Sequence, residues 1–220
     1  MLSTKDLALL GQKGISEKQI EEQLDCFRKG FPFLEIMASA SVEKGISVID
    51  KEAQVGYMEA WDAYLNQNKR ILKFVPASGA ASRMFKDLYE FLDSDSNEPF
   101  SPFMEKFFAG LTSFAFYNAL DAVCLKNEKR TIPQLLSDKE YKAVVNNLLS
   151  SGGLNYGQLP KGLLQFHTYP ACVRTAMEEH LAEGAMYAKN NAAEVNIHFT
   201  VSPEHKALFE QLVAAKVPAY

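Results

Sequence analysis

One short run of small residues carries the clearest chemical signal in this chain. The run consists, in order, of Ser78, Gly79, Ala80, Ala81 and Ser82, followed directly by Arg83. Small side chains let a backbone approach a ligand closely, and free N–H groups where a helix begins attract phosphate. An arginine on the first helical turn can hold two phosphate oxygens. Taken alone, however, the run fits a tight strand-to-helix connection with a surface arginine better, because it is neither a Walker loop nor a G-x-G-x-x-G fingerprint.

Lys161 strengthens the ligand-binding interpretation of this run. It follows Pro160 and precedes a short apolar stretch, 78 positions after Arg83. A lysine that closes a turn ahead of a strand can neutralise a phosphate, although most such lysines are simply exposed. With the small-residue run considered beside it, the ligand-binding interpretation and the exposed-turn interpretation become equally well supported.

The remaining reactive residues give weaker signals. His167 comes shortly after Lys161 and is a candidate substrate-binding residue. A metal site built from His167, His180 and Glu179 is an alternative, but the spacing is not diagnostic. The other histidines, His198 and His205, are expected to set a strand face and to lie on a solvated helix surface. The three cysteines show no paired spacing, so neither a disulfide framework nor a zinc site is indicated.

The candidate residues lie between elements that the hydrophobic pattern predicts. Strands are expected at residues 70–76, 163–166 and 195–201, and helices at 16–30, 50–65, 83–92, 137–149, 169–187 and 203–215. Ser16 and Gln19 have the spacing of a capping box. We therefore expect a helical N-terminal extension (1–69), an incomplete α/β nucleotide-binding domain (70–92 and 157–220) and a helical insertion (93–156) whose phenylalanines are buried.

Two stretches resemble the GT-A-like nucleotidyltransferases, the superfamily of the sugar-nucleotide pyrophosphorylases. One is the run from Pro76 to Met84, and the other is Pro160-Lys161-Gly162-Leu163-Leu164. Val201-Ser202-Pro203-Glu204-His205 also resembles the second strand of that superfamily and the start of its next helix. This resemblance covers about residues 71–92 and 159–215.

The whole chain more closely resembles an uncharacterised bacterial family, domain of unknown function 4301. The residues that carry this resemblance are Gly14-Ile15-Ser16-Glu17, Gly30-Phe31-Pro32-Phe33, Phe166-His167-Thr168-Tyr169, Glu178-Glu179-His180-Leu181 and His198-Phe199-Thr200-Val201-Ser202-Pro203. This second resemblance brings no known activity.

The transferase resemblance implies a fold and a mechanism. The fold would be α/β, with a partial Rossmann-like sheet of the nucleotide-diphospho-sugar transferase type. Gly79, Ala80 and Ala81 would line the phosphates of a nucleoside triphosphate or sugar nucleotide, Arg83 would bind the leaving pyrophosphate and Lys161 would neutralise the α-phosphate. The alternative is a nucleotide- or partner-binding protein that keeps the fold without catalysis.

Such transferases also need a carboxylate that holds Mg²⁺, on a strand beyond the segments seen here. No strand is predicted after Val201, and the three predicted strands make a thin sheet. We therefore expect the chain to be truncated at its C-terminal side, inactive as it stands, and dependent on Mg²⁺ only as a longer protein.

The composition limits the classes of partner that we expect this protein to bind. The net charge is −4 at pH 7, which offers no electrostatic footprint for nucleic acid. No apolar run approaches the roughly 18 residues that cross a bilayer, and the first residues do not form a secretory signal. We expect a cytoplasmic protein whose partner is a nucleotide or sugar nucleotide rather than a nucleic acid or a membrane.

Overall fold

The computed structural model describes residues 2–67, 69–99 and 101–219, and within them the chain is mixed α/β and 55% helical. The helices are α1 (Thr4–Gln12), α2 (Glu17–Lys29), α3 (Lys51–Leu65), α4 (Lys86–Asp93), α5 (Pro102–Ala109), α6 (Tyr117–Glu128), α7 (Ile132–Ser137), α8 (Tyr141–Leu149), α9 (Ala176–Tyr187) and α10 (Lys206–Lys216). The strands are β1 (Lys73–Pro76), β2 (Gln165–Thr168), β3 (Val173–Thr175) and β4 (Ile197–Thr200). The chain divides into two units, Met1–Gly56 and Tyr57–Tyr220.

Capping residues set the helix boundaries of the first unit. The Ser16 hydroxyl accepts the backbone N–H of Gln19, and the Gln19 side chain reaches back to the backbone of Ser16. This reciprocal pair satisfies two N–H groups that a helix start otherwise leaves without partners. The predicted capping box is therefore confirmed, and α2 ends at Gly30, whose φ of 73° suits glycine.

In the second unit, β1 and β4 pair in parallel. Lys73 is opposite Ile197, and Pro76 is opposite Thr200. Both strands are shorter than the sequence predicts, at four residues each. Parallel pairing brings the carboxyl ends of the two strands to the same edge, where the residues after Pro76 and after Thr200 begin.

The strands β2 and β3 form a separate antiparallel pair, which corrects two predictions. The predicted strand at 163–166 begins later, because residues 161–163 form a 3₁₀ turn. The helix predicted from Tyr169 begins only at Ala176, because Tyr169 and Cys172 exchange backbone hydrogen bonds and turn the chain back as β3. The mixed α/β class is confirmed. The strands form two separate pairs and not one sheet, and the partial Rossmann-like sheet stays a prediction.

Two further helices begin differently in the structure than the sequence predicts. The helix predicted over 83–92 opens as a 3₁₀ turn, Ser82–Phe85, before α4. The helix predicted over 137–149 is interrupted by Lys139, whose φ of 61° is left-handed, and α8 begins at Tyr141. Helix propensity does not register the interruption at Lys139, because it depends on the backbone angles of that one residue.

The described part of residues 93–156 contains helices and no strand, as predicted. Among its phenylalanines, Phe107 and Phe116 are buried, Phe108 is half-buried, and Phe103 and Phe114 remain more exposed. Phe100 lies outside the described residues. The buried cluster of α4–α8 also includes Ala81 and Leu164, so one core underlies both the helical segment and the chain on either side of it. The predicted domain boundaries stay a prediction.

Strand β1 is anchored to α9 by a lysine. The Lys73 ammonium, on a side chain that is 10% exposed, pairs with Glu183 and donates to the backbone carbonyl of His180 at 3.2 Å. It also lies 4.8 Å from the centre of the Tyr187 ring. The ammonium beside Glu183 lowers the pKa of that carboxyl from its ordinary value of 4.5.

The turn after α8 generates a stability prediction. A Cβ on Gly153 would lie 1.9 Å from the carbonyl oxygen of Asn147, so Gly153→Ala must displace this turn. We expect a loss of roughly 1–3 kcal/mol in the free energy of unfolding, measured by urea titration. The matched control is Gly152→Ala, whose Cβ would meet only the Ser150 hydroxyl oxygen at 4.0 Å and should be neutral. Equal stability of the two variants would contradict the described turn.

The Lys73–Glu183 pair predicts a pH dependence. Because the folded pKa of Glu183 is depressed, its stabilisation is present above pH 4.5 and is lost as the pH falls through the folded pKa. Lys73→Met should therefore destabilise the protein at pH 7 by no more than about 1 kcal/mol, since the Glu183 side chain is 44% exposed. In thermal unfolding, the difference from wild type should shrink below pH 4.5. Lys189→Met, on an exposed lysine, is the control, and a difference that persists unchanged at low pH would count against the pair.

Candidate functional site

The small-residue run follows β1 at the carboxyl edge of the parallel pair. The Ala77 N–H donates to the carbonyl of Thr200 at 2.8 Å, which carries the pairing one residue past β1. The chain then passes through residues 78–81 and enters the 3₁₀ turn Ser82–Phe85 and α4. The order of strand, small-residue loop and helix is the one that the sequence predicts. In open parallel sheets, ligands bind at this edge.

The structure brings Lys161 to this loop. The backbone N–H of Lys161 donates to the carbonyl of Gly79 at 3.0 Å, and Ala80 and Pro160 form an antiparallel bridge. Two segments that the sequence separates by nearly eighty residues are therefore direct neighbours. Each segment is also tied to the core, because Ala81 is 1% and Leu164 is 0% exposed.

The exposed residues of the loop and the turn carry two cations. Ser78, Gly79, Ala80, Ser82 and Arg83 are exposed, as is Lys161. Across the described residues, no carboxylate forms an ion pair with Arg83 or Lys161. The backbone N–H groups of Ser78 and Gly79 likewise have no hydrogen-bond partner in the described chain. The segment thus presents N–H donors and two uncompensated positive charges.

Ala81 differs from the other loop residues. Its side chain lies in the buried core cluster together with Phe85 and Leu88. This inward orientation also means that its methyl group takes no space from the exposed face of the loop. The alanine at this position serves packing.

The structure does not join His167 to these residues. His167 lies on β2 opposite Arg174, it is exposed, and no hydrogen bond or ion pair connects it to Lys161 or to the loop within the described residues. The neighbouring polar contacts belong to Arg174, which pairs with Glu179 at 3.5 Å and lies 4.5 Å from the centre of the Tyr169 ring. A role for His167 in substrate binding stays a prediction.

His205 also follows β4 at this edge, although the sequence predicts it on a solvated helix surface. The chain leaves β4 through Ser202, and the Ser202 hydroxyl lies 2.8 Å from Nδ1 of His205, which is half-buried rather than fully solvated. The pKa of Glu204 is lowered by its own backbone N–H and by the Ser202 hydroxyl. Ser202 and His205 lie three residues apart just after the predicted strand at 195–201, and this spacing was the sequence signal that could have found the pair.

A packing contact places the start of α10 beside the Lys161 turn. A Cβ on Gly162 would lie 3.0 Å from two carbons of the Phe209 ring, so this glycine touches the ring directly. Phe209 is 4% exposed and follows His205 by four residues, which is about one helical turn. A side chain at position 162 would therefore press on the Phe209 ring.

Two cavities of the second unit lie elsewhere and are mainly apolar. One of about 270 Å³ is lined by Leu181, Ala185, Val195, Ile197, Phe199, Val213 and Val217. Another of about 370 Å³ lies between α9 and α10, beside Met177 and Val213. The first cleft is lined by no charged side chain, so it does not suit a phosphate.

The described residues contain no group of three or more His, Cys, Asp or Glu side chains that could hold a metal ion. The alternative metal site from His167, His180 and Glu179 is therefore wrong. The three cysteines are free, as the sequence indicates. Among the helices of the described chain, none has the length and apolar character needed to cross a bilayer.

Comparison with known proteins assigns the chain to a family but brings no activity. No match was found among curated proteins, and none was found among solved structures. The family described as Domain of unknown function (DUF4301) matches residues 3–220, which is nearly the whole chain. The protein that carries this joined loop and lysine turn therefore belongs to the DUF4301 family.

Proposed function

We propose that this protein is nucleotidyltransferase-like and binds a nucleoside triphosphate or sugar nucleotide through residues 78–83 and Lys161. The observation that carries the proposal is the 3.0 Å hydrogen bond from the Lys161 N–H to the carbonyl of Gly79. The proposal requires the loop and the lysine turn to act on one ligand, and this bond makes their backbones neighbours. The partial Rossmann-like relationship of β1, the loop and β4 is part of the same proposal.

The electrostatics support an anionic ligand. The chain is acidic overall, with a net charge of −4, yet Arg83 and Lys161 are exposed and lack a carboxylate partner in the described part of the chain. A triphosphate or diphosphate would supply the missing negative charge. Arginine favours a bidentate phosphate contact, whereas lysine acts as a point charge.

The chemistry would be electrostatic. In the transferase reaction, an oxygen of a phosphate monoester such as a sugar 1-phosphate attacks the α-phosphorus of the nucleotide. The bond between the α-phosphorus and the α,β-bridging oxygen breaks, and pyrophosphate leaves with the electron pair. Lys161 would stabilise charge on the α-phosphate, and Arg83 would hold the leaving pyrophosphate. The N–H groups of Ser78 and Gly79 would position the phosphates.

The Mg²⁺ that this chemistry ordinarily uses is held by one or two carboxylates together with the substrate phosphates. Among the described residues, no group of three or more carboxylate, imidazole or thiolate side chains could hold a metal ion. Nucleotide or partner binding without catalysis is the second candidate function. His167 remains a proposed substrate contact, and the free cysteines agree with the proposal of a cytoplasmic protein.

The proposal predicts nucleotide affinities. Isothermal titration with ATP, CTP, GTP, UTP and UDP-glucose, in the presence of Mg²⁺, should show binding of at least one compound. For that compound, Arg83→Ala and Lys161→Ala should each weaken binding about tenfold or more, because charged hydrogen bonds to phosphate are lost. The matched control is Lys106→Ala, which removes an exposed lysine from α5 and should bind like wild type.

Two results separate the candidate functions. Release of pyrophosphate from the bound triphosphate and a sugar 1-phosphate identifies a transferase, whereas binding without release identifies the second candidate. Unchanged affinity in both the Arg83 and Lys161 variants would overturn the assignment of these residues to the site. If wild type binds none of the compounds, the proposed function is wrong.

A further inference from the structure

An apolar groove runs along one face of β4, between α9 and α10. The two cavities described above, of about 270 and 370 Å³, are both lined by Phe199 and Val213, so they are consecutive parts of this groove. Its floor consists of alternate residues of β4 and of the chain on either side, namely Val195, Ile197, Phe199 and Val201. Because a strand advances about 3.3 Å per residue, this floor is roughly 20 Å long.

The groove is apolar along most of its length and charged at one end. At the Val195 end, every lining side chain is apolar. At the Val201 end, Lys206 and Glu210 join the lining. Closely packed protein interiors rarely leave space of this size, and open apolar grooves are characteristic of ligand-binding surfaces. The length and the polarity of the groove therefore suit a single apolar chain with one polar head group.

Lys206 determines the charge of that head group. It is the first residue of α10, where the helix dipole also favours an anion. Its ammonium pairs with Glu210 at 3.5 Å, but the two side chains are 68% and 66% exposed, and an ion pair this exposed contributes little to stability. A carboxylate on the ligand can therefore replace Glu210 as the partner of Lys206, because the Glu210 side chain can turn into solvent.

We propose that this groove binds a long-chain fatty acid, whose chain lies along β4 and whose carboxylate pairs with Lys206. Burial of the chain supplies most of the affinity, since the lining is largely apolar. The lysine gives the ligand its direction in the groove and favours an acid over an uncharged alcohol. The inference does not rest on the proposed nucleotide site, which uses residues 78–83 and Lys161.

The chain and the head group can be tested separately by competition. cis-Parinaric acid, a fatty acid that fluoresces when it binds protein, should bind wild type and be displaced by laurate. Hexanoate should compete poorly, because each buried CH₂ group contributes roughly a fourfold gain in affinity. Dodecanol has the chain length of laurate without the charge, and it should compete about fivefold less well, as expected for one exposed charged contact.

Two substitutions locate the ligand in the groove. Ala214 is exposed and lines the groove, so Ala214→Trp should fill it from the rim and weaken laurate binding about tenfold or more. The matched control is Ala215→Trp, on the next residue of α10, which is also exposed but does not line either cavity. It should bind laurate like wild type. Lys206→Gln should lower the affinity for laurate to that for dodecanol and leave dodecanol binding unchanged.

The outcomes that overturn the inference are distinct from those of the nucleotide titrations. If wild type does not bind cis-parinaric acid, or if laurate does not displace it, the groove is not a fatty-acid site. Equal laurate affinities in Ala214→Trp and Ala215→Trp would place the ligand outside the groove. If Lys206→Gln binds laurate like wild type, the assignment of the carboxylate to Lys206 is wrong. Thermal unfolding of the three variants should stay close to that of wild type, because all three positions are exposed.

Discussion

The hydrogen bond from the Lys161 N–H to the carbonyl of Gly79, with the bridge between Ala80 and Pro160 beside it, is the constraint on which the candidate site depends. It closes an excursion of nearly eighty residues onto a loop of small side chains. Closing a flexible loop of this length carries an entropic cost, so one backbone bond alone cannot hold the join. The folded helices between the two ends meet that cost by burying apolar surface.

The shared core explains why the helical segment does not separate the two halves of the site. Ala81, at the start of the excursion, and Leu164, just after its end, are both buried in the cluster that α4–α8 build. Tyr156 reinforces the return, because its buried hydroxyl accepts the backbone N–H of Gln165 at 3.1 Å. The helices are therefore the support on which the loop and the lysine turn are fixed.

Sequence patterns predicted the local features and missed the long-range ones. The predicted local features depend on residues that are neighbours in the sequence. They are the capping box at Ser16, the order of strand, loop and helix after Lys73, and the choice of Lys161 as a candidate ligand-binding residue. By contrast, the pattern predicts helix where β3 lies, because Val173 fits an amphipathic repeat and only pairing with β2 makes this segment a strand. The sequence predicts a surface position for His205, because its environment comes from the parallel pairing of β4 with the distant β1.

The central claim is that residues 77–83, 160–164 and 201–206 form one ligand-binding edge. Hydrogen–deuterium exchange of the protein, with and without the nucleotide that binds it most tightly, tests this directly. The account predicts that ligand slows exchange in peptides from all three segments together, while peptides from α1 and α2 do not change. Protection that is absent from these segments, or that appears in only one of them, would contradict the account.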